Sequence, residues 1–438
     1  MQVIYTSARK PRPSVPFHIV LYALIPQDRA YRPIPRSPLL FVRNRLRRWA
    51  ELLSWRFLGR WRAHYSTFKD RDNTNRGDIA IRMGVKRQLE RAFENHEITI
   101  TDLPWGSLAM ALKVTPAPDL VVIAGGGFLF ADRDGRLPQR FKDDVKVLEK
   151  LSCPVAVCAV GLNRLIEDSD QKIFRFHPES RADVRRFLSR ATLASVRDET
   201  TRRALGSVDR RSLPVIVDPG FLVAEPPATV RTPDPRRPLE VGINMAFHGA
   251  HTSRTSRWML PLMLRIVKRL RDEAGCRFTY FVHSDGEAGL ASALKLAGVP
   301  LDIVHADVDD MMAAYRRMDI HIGQMLHSAI LAMSVGTPAL SLAYDVKSAG
   351  FYNLLGLDEL CLDAVAASED EIMSSAKALI ECRHAVARTL RARRAALEAE
   401  SKDFYAQVAA LVAPYRSGRL PALHPADRAR SVGRSTSH

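Results

Sequence analysis

The sequence is poor in cysteine and has no long apolar run. Its five cysteines are an odd number, and no two are spaced as Cys-x-x-Cys. This argues against a disulfide framework and a common zinc site, and it favours a reducing cytoplasm. Nowhere do about 18 apolar residues follow one another, so we predict no transmembrane helix. The apolar run at residues 17–24 is shorter than a membrane span and is expected to form a buried strand.

Acidic residues are scarce at both ends of the chain. The formal net charge is +17, but residues 1–72 carry 15 Lys and Arg against 4 Asp and Glu. Residues 416–438 carry 5 Arg against 1 Asp. The body between these ends is therefore nearly neutral. Proteins that bind nucleic acid usually have a basic stripe on a folded face, so nucleic acid is not expected as a partner. We expect the tail 416–438 to be disordered.

Short apolar runs that end in Gly or Pro alternate with helical patterns along most of the chain. The runs DLVVIAGGG, PVAVCAVG and PVIVDPG have no polar face, as in strands buried on both sides of a parallel sheet. A proline-rich segment interrupts the alternation, which restarts with LEVGINMA. Two such alternations predict an α/β fold with two doubly wound, Rossmann-like domains facing a cleft. The expected parts are residues 73–225, completed by the strand at 17–24, then the linker 226–238 and the second domain 239–415.

Residues 39–62 differ from the rest of the chain because they combine an apolar stripe with many arginines. The apolar positions recur with the period of a helix, at Val42, Leu46, Trp49, Leu53 and Phe57. Three of the five tryptophans also lie in this segment. Two interpretations stay open. The segment is either an amphipathic helix in an anionic membrane interface or a helix packed on the protein's own body.

The first motif suited to a binding site precedes a helical pattern and reads Asn75-Arg76-Gly77-Asp78. Gly77 allows a ligand to approach the backbone closely. Asp78 would cap a helix beginning at Ile79, whose free N–H groups would favour an anion. Alone, the motif also fits an ordinary helix start.

A second motif is the triple glycine Gly125, Gly126 and Gly127, which follows an apolar strand. Parallel sheets bind ligands at the carboxyl ends of their strands, where backbone without side chains would leave room. Asp132 follows within reach of that opening. The pattern matches neither a dinucleotide fingerprint nor a P-loop, and a tight turn needed for packing is the alternative.

Arg197 and His327 each follow a predicted strand and precede a predicted helix. An arginine in that place can hold a carboxylate or phosphate with two parallel hydrogen bonds, or be one more surface charge. The positive end of a helix dipole disfavours imidazolium, so His327 could act as a neutral base. A histidine that only caps its helix is the alternative. Tyr344 and Lys347 follow the next strand and are expected on the same rim.

Taken in order, these motifs resemble the polysaccharide pyruvyl transferase family. The pair Asp218-Pro219 belongs to the set, and its most specific part runs from Leu326-His327 through Gly336-Thr337-Pro338 to Tyr344-Asp345-Val346-Lys347. The resemblance covers roughly residues 73–357. It implies a GT-B-like fold with two Rossmann-like halves. It also implies transfer of an enolpyruvyl unit from phosphoenolpyruvate onto two hydroxyls of a sugar, which gives a pyruvate ketal on an exopolysaccharide or cell-surface glycan.

This implied reaction assigns roles to the residues named above. His327 and Asp132 would supply the base and the acid, and Arg197 is the third catalytic residue. No metal and no cofactor is expected, with phosphoenolpyruvate as co-substrate and a lipid-linked or polymeric glycan as acceptor. The protein would be cytoplasmic, at the inner face of the cytoplasmic membrane. The residues assigned to substrate binding are Asn75, Gly77, Asp78, Gly125, Gly126, Gly127, Tyr344 and Lys347.

Met325 stands where the family usually has an arginine before Leu-His. Such an arginine would contact the acid groups of the donor, and its loss removes a hydrogen bond to a charged group worth about 1.5–3 kcal/mol. Three interpretations follow. Another cation, namely Arg316, Arg317 or Lys347, replaces it; or the protein is a glycosyltransferase that uses a nucleotide sugar; or it is a non-catalytic homologue that serves as a membrane-associated scaffold.

Overall fold

The computed structural model describes residues 16–23, 75–164, 174–225, 237–246, 249–284 and 287–412. The strands are β1 (Phe17–Ala23), β2 (Ile98–Pro104), β3 (Leu120–Ile123), β4 (Gly126–Phe130), β5 (Val155–Asn163), β6 (Leu193–Val196), β7 (Glu240–Asn244), β8 (Arg277–Phe281), β9 (Leu301–Val304), β10 (Ile320–Gly323), β11 (Ala339–Ala343) and β12 (Cys361–Asp363). The helices are α1 (Arg76–Ala92), α2 (Gln139–Leu148), α3 (Pro178–Arg190), α4 (Glu199–Gly206), α5 (Gly249–Ala274), α6 (Ala288–Leu296), α7 (Val308–Tyr315), α8 (Leu326–Ser334), α9 (Val346–Leu355) and α10 (Glu369–Ala410).

The first sheet is parallel and is built from β1 to β6. Strand β1 lies between β2 and β3, and β5 pairs with β3, β4 and β6. The first half of β5 pairs with β3 and its second half with β4, so β4 continues the edge that β3 begins. The side chains of β3 are all buried, which fits strands covered on both faces. The strand predicted at 17–24 is present as β1.

The second sheet is also parallel, with the strand order β12-β11-β10-β7-β8-β9. This is the Rossmann order, in which the chain reverses direction across the sheet between β7 and β10. Ligands of such sheets bind in the crevice at the carboxyl ends of the two strands beside that reversal. Those ends are Asn244 and Gly323, directly before α8. The two parallel sheets confirm the predicted class of two Rossmann-like α/β domains.

Helix α10 spans 42 residues and packs against both domains. Its first turns bury Ile372 and Leu379 in the core of the second domain. Its last turns bury Phe404 and Val408 beside Ile19 of β1, in the core of the first domain. One continuous helix therefore joins the two hydrophobic cores.

The triple glycine packs against β5, where the sequence suggested room for a ligand. The chain passes from β3 into β4 through these residues, and Gly126 has a φ of 90°. A β-carbon on Gly125 would lie 2.5 Å from the carbonyl oxygen of Ala159, which itself has a φ of 51°. Both strands depart from regular geometry at the same level, where the β4–β5 and β5–β6 registers shift.

The run PVIVDPG was predicted to be a strand, but it makes only an isolated bridge between Val215 and Val196. The chain then enters the 3-10 helix Pro219–Leu222, which Asp218 caps. Proline has no N–H to donate to a ladder and fixes φ, which accounts for the end of pairing here.

Several predictions concern residues outside the described ranges. They include the segment 39–62, most of the linker 226–238 and the tail 416–438. Among the helices that the structure does describe, none is long and apolar enough to cross a membrane.

Candidate active site

Arg197 lies at the carboxyl end of β6 and is 4% exposed. Its side chain crosses Gly161 of β5, where a β-carbon would lie 2.1 Å from Nε. Nη1 donates to Oδ2 of Asp218 at 3.1 Å. The other edge of the guanidinium, Nε and Nη2, has no hydrogen-bond partner among the described residues, although Nε is 3.6 Å from Oδ2 of Asp198. Two N–H groups of the buried guanidinium thus make no hydrogen bond among the described residues.

His327 lies in the first turn of α8 and is 7% exposed. Its Nε2 is 4.0 Å from Oδ2 of Asp218. Burial lowers the pKa of the imidazole to about 4, since the opposing effect of Asp218 is weaker and Lys347 and Arg197 lower this pKa further. The ring is therefore neutral near pH 7 and can accept a proton.

Lys347 follows β11 in the first turn of α9. Its Nζ is 3.7 Å from Oδ2 of Asp345 and donates to Oδ1 of Asn163 at 3.4 Å, a contact between the two domains. The Nζ also lies 5.7 Å from the centre of the Tyr344 ring. Burial lowers the pKa of Lys347, but Asp345 and Tyr344 raise it, and the net pKa is above the ordinary value. The ammonium group therefore stays charged.

The Asn75-Arg76-Gly77-Asp78 motif lies against the same cluster. Helix α1 begins at Arg76 and its N-cap is Asn75, whose side chain accepts the N–H of Gly77 at 3.0 Å. The expectation that Asp78 caps a helix beginning at Ile79 is therefore wrong, because Asp78 lies within the first turn. The buried carboxylate of Asp78 contributes to the raised pKa of Lys347. The ring of His327 occupies the space beside Gly77.

Asp132 and the glycines are placed differently. Asp132 is exposed, and its Oδ1 accepts the backbone N–H groups of Asp134 at 3.0 Å and Arg136 at 2.7 Å. It holds a turn, and no described contact joins it to His327 or Arg197. Gly127 lies against the side chain of Asn163, 2.9 Å from the position of an added β-carbon. Gly125 and Gly127 thus pack against β5, the strand that carries Asn163.

Three site residues were not assigned from the sequence: Gly161, Asn163 and Asp218. Asp218 is 21 positions from Arg197 along the chain, so only the fold shows that the two pair. The Asp218-Pro219 pair was a usable signal, because it belonged to the motif set without a role. Within the described ranges, no group of three or more His, Cys, Asp or Glu side chains is placed to hold a metal ion.

Met325 is the N-cap residue of α8 and is buried. Its N–H donates to Oδ1 of Asn244 at 3.3 Å, so it borders the crevice of the second sheet. Arg316 and Arg317 are exposed and donate to backbone carbonyl oxygens of other residues. Of the three cations considered as replacements for the family arginine, Lys347 is the one whose charge acts on His327.

Comparison with known proteins identifies a family. The model of the family described as polysaccharide pyruvyl transferase matches residues 75–346. The amylovoran biosynthesis protein AmsJ of Erwinia amylovora is 37% identical over 60 residues, which are 14% of this chain and 14% of that protein.

Solved structures with a similar fold are more distant. S. aureus MnaA with UDP has 14% identity and a TM-score of 0.45, over 70% of this chain and 86% of that one. Trehalose 6-phosphate synthase from Burkholderia multivorans has 12% identity and a TM-score of 0.43, over 97% and 99%. The family match covers more than half of the chain and contains His327, Arg197 and Asp218. The chain therefore belongs to the polysaccharide pyruvyl transferase family.

Proposed function

We propose that the protein transfers the enolpyruvyl unit of phosphoenolpyruvate to two hydroxyls of a glycan sugar, forming a pyruvate ketal and releasing phosphate. The observation that carries this proposal is the buried Nε–Nη2 edge of Arg197, which makes no hydrogen bond among the described residues, although Asp198 stands 3.6 Å from Nε. A buried cation with unused donors is costly unless an anion binds it. The planar carboxylate of phosphoenolpyruvate fits two parallel N–H donors.

The phosphate of the donor needs its own positive charge. Lys347 supplies one, since its pKa stays above the ordinary value. The N-terminal ends of α1 and α8 add the partial positive charge of helix dipoles, and both meet at Gly77 and His327. Lys347 thereby takes over the role that an arginine at position 325 would have in the family.

His327 provides the proton transfer. The neutral ring accepts the proton of the first sugar hydroxyl as its oxygen attacks the carbon that bears the phosphate. The imidazolium formed in this way returns the proton to the methylene carbon, which becomes a methyl group. The second hydroxyl then attacks the same carbon, and the carbon–oxygen bond to phosphate breaks. The proton of the second hydroxyl leaves with the phosphate. The acid role assigned to Asp132 from the sequence stays a prediction.

The test measures phosphate release from phosphoenolpyruvate with lipid-linked oligosaccharide acceptors. Arg197→Gln should raise the KM for phosphoenolpyruvate, and His327→Gln should lower kcat about 10²-fold or more while donor binding persists. Arg202→Gln is the matched control, because Arg202 is exposed and bonds Glu199 of its own helix. The proposal fails if no acceptor supports phosphate release and His327→Gln leaves the cell's polymer unchanged.

A nucleotide-sugar glycosyltransferase is the second possibility. The crevice at the carboxyl ends of β7 and β10 favours it, because sheets with this strand order bind nucleotides there. Thermal stabilisation by uridine or guanosine diphosphate, compared with phosphoenolpyruvate, separates the two donors. If a nucleoside diphosphate stabilises the protein more than phosphoenolpyruvate does, the donor is a nucleotide sugar and the proposed pyruvyl transfer is wrong.

The place of action is proposed to be the cytoplasmic face of the membrane, where lipid-linked glycans would be met. The basic, tryptophan-rich segment 39–62 would bind anionic lipid there. Reversible binding to anionic liposomes that weakens with added salt is the expected result. Unchanged co-sedimentation after deletion of the segment would show that it is not the anchor.

A further inference from the structure

Asp218 lies between the two side chains on which the proposed function depends. It is buried at the start of the 3-10 helix, and its Oδ1 accepts the N–H of Gly220 at 3.0 Å. Its Oδ2 accepts from Nη1 of Arg197 at 3.1 Å and stands 4.0 Å from Nε2 of His327. The bond from Gly220 fixes the plane of the carboxylate, so one oxygen atom is presented to both partners.

The two ring nitrogens of His327 have different surroundings. Nε2 is buried and faces the carboxylate of Asp218, with no hydrogen-bond partner in the described part of the chain. Nδ1 lies on the side of Gly77, where an added β-carbon would be 2.0 Å away. A proton on Nε2 is attracted by the carboxylate, whereas a lone pair on Nε2 would be repelled by it.

The geometry points to Asp218 as a positioning residue that keeps neutral His327 protonated on Nε2 and leaves the lone pair of Nδ1 to accept a proton. The same carboxylate holds Nη1 of Arg197, so the Nε–Nη2 edge of that guanidinium keeps its orientation. Only the identity of the proton that Nδ1 accepts rests on the proposed function. The 4.0 Å separation is about 1 Å longer than an N–H···O bond, as catalytic contacts often are before substrate binds.

The charges around the ring explain why one carboxylate matters. Besides burial, Arg197 after β6 and Lys347 on α9 oppose the imidazolium form, and Asp218 supports it. Asp78 on α1 and Asp345 act on Lys347. Without the charge of Asp218, the imidazolium that forms during proton transfer would face two cations and no direct counter-charge.

The first experiment is nitrogen NMR of the unliganded full-length protein labelled at histidine, with His327 assigned by its loss in His327→Gln. We expect Nε2 to carry the proton in the wild type. In Asp218→Asn the preference for that tautomer should be lost. A wild-type ring protonated on Nδ1 would overturn the inference, even if Asp218→Asn does not fold. No donor or acceptor is present, so a failure of the proposed function would not affect this result.

The matched control is Asp198→Asn, since Asp198 also approaches Arg197 but makes no described contact with His327. Its tautomer signal should match that of the wild type. In the transfer assay, Asp218→Asn should lower kcat by about 10²- to 10⁴-fold and shift the acid limb of the pH–rate profile. An unchanged tautomer and an unshifted profile in Asp218→Asn would reduce Asp218 to a structural role and contradict the inference.

Discussion

The Nδ1 atom of His327 occupies the place that the β-carbon of residue 77 would need, only 2.0 Å from it. Glycine at position 77 is therefore a condition for the position of the imidazole. Gly77→Ala should displace the ring and lower kcat about 10²-fold, the usual effect of misplacing a reacting group by about 1 Å. Helix α1 itself should not weaken, because alanine favours helix more than glycine does.

Gly206→Ala is the control for this substitution, since no atom lies within 4 Å of its added β-carbon. Both variants are compared by kcat and by thermal unfolding. Wild-type kcat in Gly77→Ala would mean that the ring can move without loss of function.

Met325→Arg should strengthen the binding of phosphoenolpyruvate. The new guanidinium would stand at the start of α8, next to His327, and one charge-assisted hydrogen bond of about 1.5–3 kcal/mol corresponds to a roughly 10- to 100-fold lower Kd. Calorimetry measures the effect, with Met325→Gln as the uncharged control of similar length. Binding that appears only in Met325→Arg would favour the non-catalytic scaffold, and equal affinity in all three proteins would remove position 325 from the donor site.

Arg394→Ala should destabilise the protein by about 3 kcal/mol or more, because buried carbonyl groups then lose their donor. The guanidinium of Arg394 is buried in α10, and it donates to the carbonyl oxygens of Phe221, Ala224 and Ser334. Urea unfolding measures the change. Arg391→Ala, on the exposed side of the same helix, should stay within about 0.5 kcal/mol of the wild type. Equal losses of stability in the two variants would mean that the hydrogen bonds of Arg394 to these carbonyl groups do not stabilise the fold.

His321 should make the fold sensitive to acid. It is fully buried in β10, its Nε2 is 3.0 Å from Oγ of Ser328, and burial lowers its pKa to about 3. Below the ordinary histidine pKa, the unfolded chain binds a proton that the folded protein does not. The free energy of unfolding therefore falls as the pH falls from about 6.5 toward 3, and this group alone contributes about 2 kcal/mol between pH 7 and pH 5.

His321→Gln keeps a donor for Ser328 and cannot titrate, so its loss of stability between pH 7 and pH 5 should be smaller than that of the wild type. Urea unfolding at the two pH values provides the comparison. Arg391→Ala, which removes an exposed side chain that does not titrate in this range, should keep the wild-type difference. An unchanged difference in His321→Gln would show that His321 does not contribute.

The sequence predicted strands and helices well where a continuous apolar run marks a buried element. The run at 17–24 and the helix after position 325 have this character, and both are present and almost wholly buried. The prediction was wrong for the start of α1, because Asn75 and Asp78 are both good capping residues and only the folded chain selects between them. Local propensity contains no information to make that choice.

Long-range pairing explains the other differences. Gly125 lies between β3 and β4 and packs against the carbonyl oxygen of Ala159, which lies on β5. The contact between Asp218 and Arg197 likewise joins two segments whose patterns are independent of each other. The position of His327 at the start of a helix could be predicted because strand, helix and glycine signals surround it locally, whereas its proximity to Asp218 could not.

The helix that joins the two cores also has a consequence for biosynthesis. A ribosome makes β1 before the whole second domain, but Phe404 and Val408, which cover the same core as Ile19, are made after it. The first domain therefore cannot complete its interior while the second is still being translated. We expect the nascent chain to remain open to chaperones until synthesis has passed residue 408, and the two domains to reach their native state together.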